Sequence, residues 1–171
     1  MNWTELLKAE LQSTYATTDK LVAMVDDTAL GWKPATGANW MTCAQLLRHM
    51  GEGSGAAFRG FITGDWGLPA DANPALLTSL PTVDQLPAVE SVAEACRLLE
   101  QDRQLAFATL AKCAEERLAS EPAPAPWDPT PFLLGHRLLQ MIEHLKSHKS
   151  QLFYYLKLQG KPVSTSDLWG R

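Results

Sequence analysis

The sequence predicts an all-α protein, a four-helix bundle with a long crossover connection between its second and third helices. Four segments place apolar residues at spacings of three and four, and each segment has a helix start signal. The chain shows no run of alternating β-branched and polar residues, the pattern that is typical of strands. Four long amphipathic helices in 171 residues fit a single bundle domain over residues 1–171.

The first two helices share one start signal, the capping box. Asn2 is a favoured N-cap residue, and Glu5 stands three positions later, where its side chain can return a hydrogen bond. Thr42 and Gln45 repeat this arrangement. The apolar patterns predict that these two helices end near Asp27 and Ile62.

The last two helices begin with a cap and with a proline, respectively. Ser91 followed by Glu94 predicts the start of the third helix. Thr130 followed by Pro131 predicts the start of the fourth, because proline is favoured at the first helical position. The predicted ends are Ala119 for the third helix and the glycine–proline stop Gly160-Lys161-Pro162 for the fourth.

Prolines mark the two long connections. The connection over residues 63–90 contains Pro69, Pro74, Pro81 and Pro87. A connection of this length can cross the whole bundle, so we expect the second and third helices to run parallel, with a turn of helix after Asn73-Pro74. The connection over residues 120–130 contains four more prolines, which predicts a stiff and extended segment.

The composition excludes several classes of function. The formal net charge is −4 and no run of Lys or Arg occurs, which argues against nucleic-acid binding. No apolar stretch is long enough to cross a bilayer, so we expect no membrane association. The first residues lack the pattern of a signal peptide, and three scattered cysteines suit a reducing compartment. The sequence therefore predicts a cytoplasmic protein.

Histidines offer the clearest candidate site. His144 and His148 are four residues apart, so on a helix they lie one above the other on the same face. His49 on the second helix can add a third imidazole. Three neutral nitrogen ligands hold a divalent ion and leave coordination positions open for water or substrate. In the alternative interpretation the pair is two ordinary polar residues, one exposed and one hydrogen-bonded.

The surroundings of the histidines favour the metal site. The pair belongs to a largely apolar stripe of the last helix, formed by Met141, His144, His148, Leu152 and Tyr155. We therefore expect both rings to point toward the bundle interior, where they need partners. Gln140 and Gln151 are candidate partners for the outer ring nitrogens. His136 is about 80° around the helix from His144 and two turns earlier, and is interpreted as a surface or pocket-rim residue.

Three glycines follow His49 within one helical segment, at Gly51, Gly53 and Gly55. Each costs a helix interior about 1 kcal/mol relative to alanine, so they indicate a kink, space for a ligand or a close helix contact. Glu52 lies in this run and is a candidate general base, or a candidate hydrogen-bond acceptor for a ligand histidine. Its alternative is a solvated surface glutamate. Several tryptophans in or near loops are candidates for a pocket wall, a dimer contact or closure of the core.

Two segments resemble motifs of the DinB/YfiT-like superfamily. The segment Trp40-Met41-Thr42-Cys43-Ala44-Gln45-Leu46-Leu47-Arg48-His49 resembles the second-helix motif of that family. The segment from Met141 to Leu152, followed by Tyr155-Leu156 and Gly160, resembles its last helix. The glycine-rich run after His49 departs from the family pattern.

The resemblance implies a crossover four-helix bundle in which His49, His144 and His148 hold a metal, commonly nickel or zinc. It also implies a homodimer. Some relatives are thiol-dependent transferases or isomerases that use a low-molecular-weight thiol, and many have no known reaction.

The favoured hypothesis is a metal-dependent enzyme that acts on a small molecule, of the thiol-dependent S-transferase or hydrolase type. A metal ion lowers the pKa of bound water to about 7 and deprotonates a bound thiol, so either nucleophile is available at neutral pH. A competing hypothesis is a non-catalytic bundle that binds metal for stability or senses it. A third is a metal-free interaction module.

Overall fold

The computed structural model describes residues 2–69, 71, 73, 78 and 81–170. Within these residues the regular structure is helical, and extended pairing is limited to two isolated bridges, so the all-α prediction is confirmed. The described α-helices are α1 (Trp3–Val22), α2 (Cys43–Met50), α3 (Ser54–Thr63), α4 (Val92–Leu110), α5 (Glu115–Ser120), α6 (Leu134–Leu158) and α7 (Thr165–Trp169). Short 3₁₀ helices occur at Asp27–Ala29 and Val83–Gln85.

The predicted helix starts at Asn2 and Thr42 are confirmed. Each of these side chains accepts a hydrogen bond from the backbone N–H three residues later, and the Glu5 or Gln45 side chain returns one to the cap backbone. Ser91 also caps its helix. Capping is a local interaction, so it can be predicted from neighbouring residues alone.

The first helix ends at Val22, five residues before the predicted end at Asp27. Backbone bonds from Met24 to Leu21 and from Val25 to Val22 tighten the last turn. The Asp27 carboxylate then accepts a 2.7 Å hydrogen bond from the Val92 N–H at the start of α4. Asp27 therefore belongs to the turn that supports α4.

The predicted second helix, from Thr42 to Ile62, is in fact two helices. The chain leaves helical geometry after Met50 and begins α3 at Ser54. A Cβ atom at Gly51 would lie 2.9 Å from the Cβ atom of Leu98 on α4. Glycine at position 51 therefore permits close packing against α4. The glycine-rich run after His49 divides the predicted helix into α2 and α3.

The predicted third helix also divides in two. It ends at Leu110 rather than near Ala119, and α5 begins at Glu115. The Glu115 carboxylate accepts hydrogen bonds from the N–H groups of Trp3 and Thr4, at 2.8 and 2.9 Å. The break thus lets α5 supply an anion to the N-terminus of α1, where it is favoured.

The predicted start of the last helix at Thr130-Pro131 is wrong, since α6 begins at Leu134. Residues 121–133 are here called the proline loop. Its two halves run antiparallel to each other, and isolated bridges pair Pro122 with Leu133 and Ala125 with Asp128. These pairings use backbone groups that a longer helix would need. The predicted helix stop is confirmed, because α6 ends at Leu158 and Gly160 adopts a φ of +77°.

The helices pack around a core that is rich in leucine. Helix α1 contacts α4 and α6, and both α2 and α3 contact the same two helices. The fully buried side chains include Leu7, Leu11, Tyr15, Leu46, Leu47, Phe58, Leu99, Leu110 and Tyr155. The short helix α7, whose cap is Ser164, packs on α1 and was not predicted.

The predicted turn of helix after Asn73-Pro74 lies outside the described residues. None of the helices in the described part of the chain is long and apolar enough to cross a membrane.

Candidate metal centre

The structure brings the three predicted metal ligands together. His49 lies in the last turn of α2, and His144 and His148 lie one turn apart on α6. One nitrogen from each ring lies within 4.8 Å of the other two. The Nε2 atoms of His49 and His144 are 2.9 Å apart, and the three pairs of ring centroids are 5.0, 4.5 and 4.5 Å apart. This arrangement can hold one metal ion.

The cluster lies at the surface edge of α2 and α6 rather than inside the bundle. His144 is exposed, and His49 and His148 are partly buried. Leu152 and Tyr155, at the far end of the predicted stripe, are buried. The prediction that the histidines point into the interior is therefore wrong for His144, and the cluster is accessible to small molecules.

All three imidazoles are held in their neutral form at neutral pH. Desolvation, reinforced by His148 and His144, lowers the pKa of His49 to about 4. Desolvation also lowers the pKa of His144 and of His148. Neutral imidazole is the form that binds a metal ion, so little proton displacement is needed.

A hydrogen-bonded relay orients His148. Its Nδ1 atom lies 3.0 Å from Oε1 of Gln151, and the Gln151 amide donates to the Tyr155 hydroxyl at 3.0 Å. That hydroxyl donates to the Met41 carbonyl at 2.9 Å, just before α2. The side-chain oxygen of Gln151 can only accept a hydrogen bond, so the Nδ1 atom of His148 carries the proton. The Nε2 atom of His148 is then free to bind a metal. The expected role of Gln151 matches this contact, whereas Gln140 accepts a hydrogen bond from Arg137 instead.

Glu52 lies in the break between α2 and α3. Its carboxylate accepts a 2.7 Å hydrogen bond from Nε of Arg48, which also contacts Glu94. Glu52 and His49 line one cavity of about 230 Å³, together with Arg48, Gly53, Leu86 and Pro87. The structure thus places Glu52 beside the same space as His49, paired with an arginine.

A second cavity of about 230 Å³ adjoins His144. Its lining comprises Gly53, Ser54, Ala57, Trp127, Met141 and His144. The wall formed by Trp127 comes from the proline loop, so it depends on tertiary structure. Trp127, one of the loop tryptophans considered from the sequence, thus shares a cavity with a histidine of the cluster.

A buried acid supports the start of α3 and was missed by the sequence reasoning. Asp102 of α4 is 4% exposed and accepts hydrogen bonds from the Tyr15 hydroxyl at 2.6 Å and the Gly55 N–H at 2.8 Å. Desolvation raises the pKa of Asp102, while these hydrogen bonds oppose the shift. The position of Asp102 on the apolar face of α4, one turn after Leu98 and Leu99, was the available signal.

His136 does not join the cluster. It is exposed, and its ring centroid lies 4.8 Å from that of Phe132 in the proline loop. This position agrees with the predicted surface or rim location.

A family model and a solved structure that resemble this chain both belong to DinB-like proteins. A family model described as the DinB superfamily matches residues 10–152. Among solved structures, a DinB-like protein from Bacillus cereus ATCC 10987 is similar, with a TM-score of 0.65 and 17% sequence identity, over 94% of this chain and 95% of that chain. At this identity the likeness concerns the fold. No curated protein matches the chain.

Proposed function

The chain belongs to the DinB superfamily, and on that premise we propose that His49, His144 and His148 hold one divalent metal ion at which a small molecule reacts. One observation carries this proposal: nitrogen atoms from two helices distant in sequence converge within 4.8 Å. Packing of α2 against α6 does not by itself require three neutral imidazoles at the mouth of a cavity, so a metal site is the better explanation of the cluster.

The donor set fits zinc or nickel. Imidazole nitrogen is a good ligand for both ions, and three histidines are a known set for catalytic zinc. No Asp, Glu or Cys joins the described cluster as a fourth ligand. Bound by these three residues, such an ion would keep at least one position for a water or thiol and would supply the acidity that makes either a nucleophile near neutral pH.

Residues of the chain supply orientation and access. Gln151 keeps the Nε2 atom of His148 directed at the cluster, and Tyr155 keeps Gln151 in place. The exposure of His144 lets a small molecule reach the site. We propose a reaction of the thiol-dependent S-transferase or hydrolase type, with a low-molecular-weight thiol as the second substrate in the first case.

Glu52 is the proposed general base. It shares a cavity with His49, and its carboxylate is held by Arg48 in the break after α2. A carboxylate in this place can take a proton from a water or thiol that enters the cavity. Replacing Glu52 with Gln should retain the metal and lower the rate, since the amide keeps the shape but not the basicity.

The proposed architecture is a four-helix bundle in which α2 and α3 together act as one member. The contacts of α1 and α3 with both α4 and α6 close a ring of four members. The connection from α3 to α4 spans residues 64–91, long enough for a crossover.

A second candidate function is a metal-stabilised bundle without catalysis. The proposed ligands come from two helices that already pack together, α2 and α6, so a bound ion would connect them. This function requires the same metal site and no reaction.

The test begins with elemental analysis of tag-free protein loaded with zinc or nickel. We expect about one equivalent of metal in the wild type and in His136→Ala, and none in His144→Ala. His136 is the matched control because it is a histidine of the same helix outside the cluster. Equal metal content in the three proteins would overturn the assigned ligands.

The second step is a screen of the loaded protein with chlorodinitrobenzene plus a panel of small thiols, and with nitrophenyl esters. In the first reaction a thiolate forms a carbon–sulfur bond and chloride leaves. Turnover in the wild type that disappears in His144→Ala supports the enzyme. Metal binding with no turnover on any substrate supports the stabilising role.

A further inference from the structure

The cavity beside His144 differs chemically from the one beside Glu52. We propose that it binds an uncharged, apolar group of the substrate, an aromatic ring or a branched alkyl group, while the reacting end of the molecule lies at the histidine cluster. The proposal rests on the proposed function for the reacting end, but the cavity can be tested without metal. Its residues are Gly53, Ser54, Ala57, Trp127, Met141 and His144.

The described lining offers no opposite charge to an ionised group. None of the six described lining residues is Asp, Glu, Lys or Arg. The Ser54 hydroxyl already donates a 3.1 Å hydrogen bond to the Met141 carbonyl, so it is occupied within the protein. A charged group bound here would lose water without gaining an opposite charge, which is strongly unfavourable.

The apolar part of the lining suits a ring. Trp127 offers a large aromatic face, and Met141 offers a polarisable side chain that contacts aromatic groups favourably. Ala57 and Gly53 leave the opposing surface without bulk. The lining therefore favours a flat or compact apolar group.

The volume sets the size of that group. A cavity of about 150 Å³ is enough to hold benzene in a protein interior. At about 230 Å³, this cavity accepts a ring with a small substituent. It is smaller than the roughly 300–1,000 Å³ typical of pockets for drug-sized ligands, so the rest of a larger molecule would extend outside.

The tryptophan wall is preformed. The Trp127 ring lies 5.6 Å from that of Trp66 and 6.0 Å from that of Phe61, in edge-on contacts. Arg137, which is 2% exposed, donates to the Ala123 carbonyl and to the Asp128 carboxylate, so it fastens the proline loop on both sides of its tip. A buried guanidinium with these partners makes a rigid support.

The position of His144 joins this cavity to the reaction. His144 belongs both to the cavity lining and to the histidine cluster. A molecule whose apolar group fills the cavity therefore has its other end beside the cluster nitrogens. This geometry assigns the cavity to substrate selection.

The first test uses zinc-loaded protein and three hydroxamates, a headgroup that coordinates zinc. Calorimetry should show benzohydroxamate binding about tenfold or more tightly than acetohydroxamate, because its ring fills the cavity. Carboxybenzohydroxamate, with the acid on the ring, should lose this advantage. Equal affinities for all three would overturn the proposal.

Two substitutions locate the effect. Ala57→Leu fills the cavity and should remove the preference for the ring while the metal content stays at the wild-type value. Trp127→Ala removes the wall and should weaken benzohydroxamate selectively. Trp169→Ala is the matched control, since this tryptophan is 65% exposed and lies on α7. A loss as large in Trp169→Ala as in Trp127→Ala would contradict the assigned wall.

The second test separates the cavity from the metal site. Toluene titrated into metal-free protein should shift the indole N–H resonance of Trp127, which Trp127→Phe identifies, and should not do so in Ala57→Leu. A response to toluene in a protein that takes up no metal would support the cavity and reject the proposed function. The absence of any response in the wild type would reject the cavity, whatever the metal analysis shows.

Discussion

His49 has an imidazole whose proton affinity is strongly altered by its neighbours. Desolvation, followed by the two other rings, lowers its pKa from an ordinary value of 6.5 to about 4. In the metal-free protein the unfolded chain therefore binds more protons than the folded chain between these two pH values. The contribution of His49 to stability is complete above pH 6.5 and is lost as the pH falls through about 4.

We expect the metal-free wild type to lose more stability than His49→Gln when the pH is lowered from about 7 to about 4. Glutamine does not titrate, so the variant lacks this source of acid sensitivity. Urea unfolding followed by circular dichroism at several pH values measures the difference. His136→Gln should follow the wild-type curve, because His136 lies outside the cluster. Identical acid sensitivity in all three proteins would contradict the shifted pKa.

For individual residues, the sequence predicted the histidine cluster but not the hydrogen bonds that hold Gln151 beside His148. The spacing of His144 and His148 placed two rings on one helix face, His49 on another helix was the proposed third ligand, and the family resemblance implied the same set. The relay from Gln151 to Tyr155 and the Met41 carbonyl joins α6 to the start of α2, so only its first step was visible in the sequence. The exposure of His144 was missed because it depends on how α2 and α6 meet.

Among the elements, α3 depends on a contact from another helix. Its N-cap, Gly53, makes no side-chain hydrogen bond, and the Asp102 carboxylate accepts from the Gly55 N–H in its place. A Cβ atom at Gly55 would collide with the carbonyl oxygen of Asp102. The position therefore accepts only glycine unless α3 and α4 separate.

Gly55→Ala should destabilise the protein by about 1–3 kcal/mol, as overpacking of a dense core does. Because α3 carries Ser54 and Ala57, the variant should also bind benzohydroxamate more weakly. The control is Gly31→Ala, where a Cβ atom would meet no neighbour within 4 Å. Urea unfolding of both variants measures the difference. A Gly55→Ala protein as stable as Gly31→Ala would refute the close contact.

The helix starts were predictable where the signal is local, and the breaks were not. The boxes at Asn2 and Thr42 use residues within one turn. The break before α5 serves Glu115, which contacts a helix more than a hundred residues earlier in the chain. Pro131 resembled a helix start, but the Phe132 carbonyl accepts from the Ala123 N–H instead. Such pairings appear only when the chain has folded.

For the molecule as a whole, the proposed metal would connect parts that are remote in sequence. We expect zinc at about 100 times its dissociation constant to stabilise the protein by about 2.7 kcal/mol. For a chain of this size that corresponds to a rise in Tm of about 5–10 °C. Thermal unfolding with zinc or a chelator measures the shift. His148→Ala should show none, and His136→Ala should show the full rise. A full rise in His148→Ala would contradict its role as a ligand.

Fold class was accessible from the sequence because helical periodicity and the lack of strand patterns are properties of whole segments. The all-α structure and the DinB superfamily are both confirmed. The cytoplasmic location, the homodimer and the small-molecule substrate stay predictions. They depend on surfaces and partners that periodicity does not describe.

The separation of the histidines along the chain determines when the cluster can exist during protein synthesis. A ribosome incorporates His49 95 residues before His144. His144 and His148 form a pair as soon as α6 is helical, but the third imidazole joins them only after α6 has docked against α2. An ion captured before that docking would therefore be held by the His144–His148 pair alone. Binding by all three imidazoles would require a chain in which α2 and α6 have already packed together.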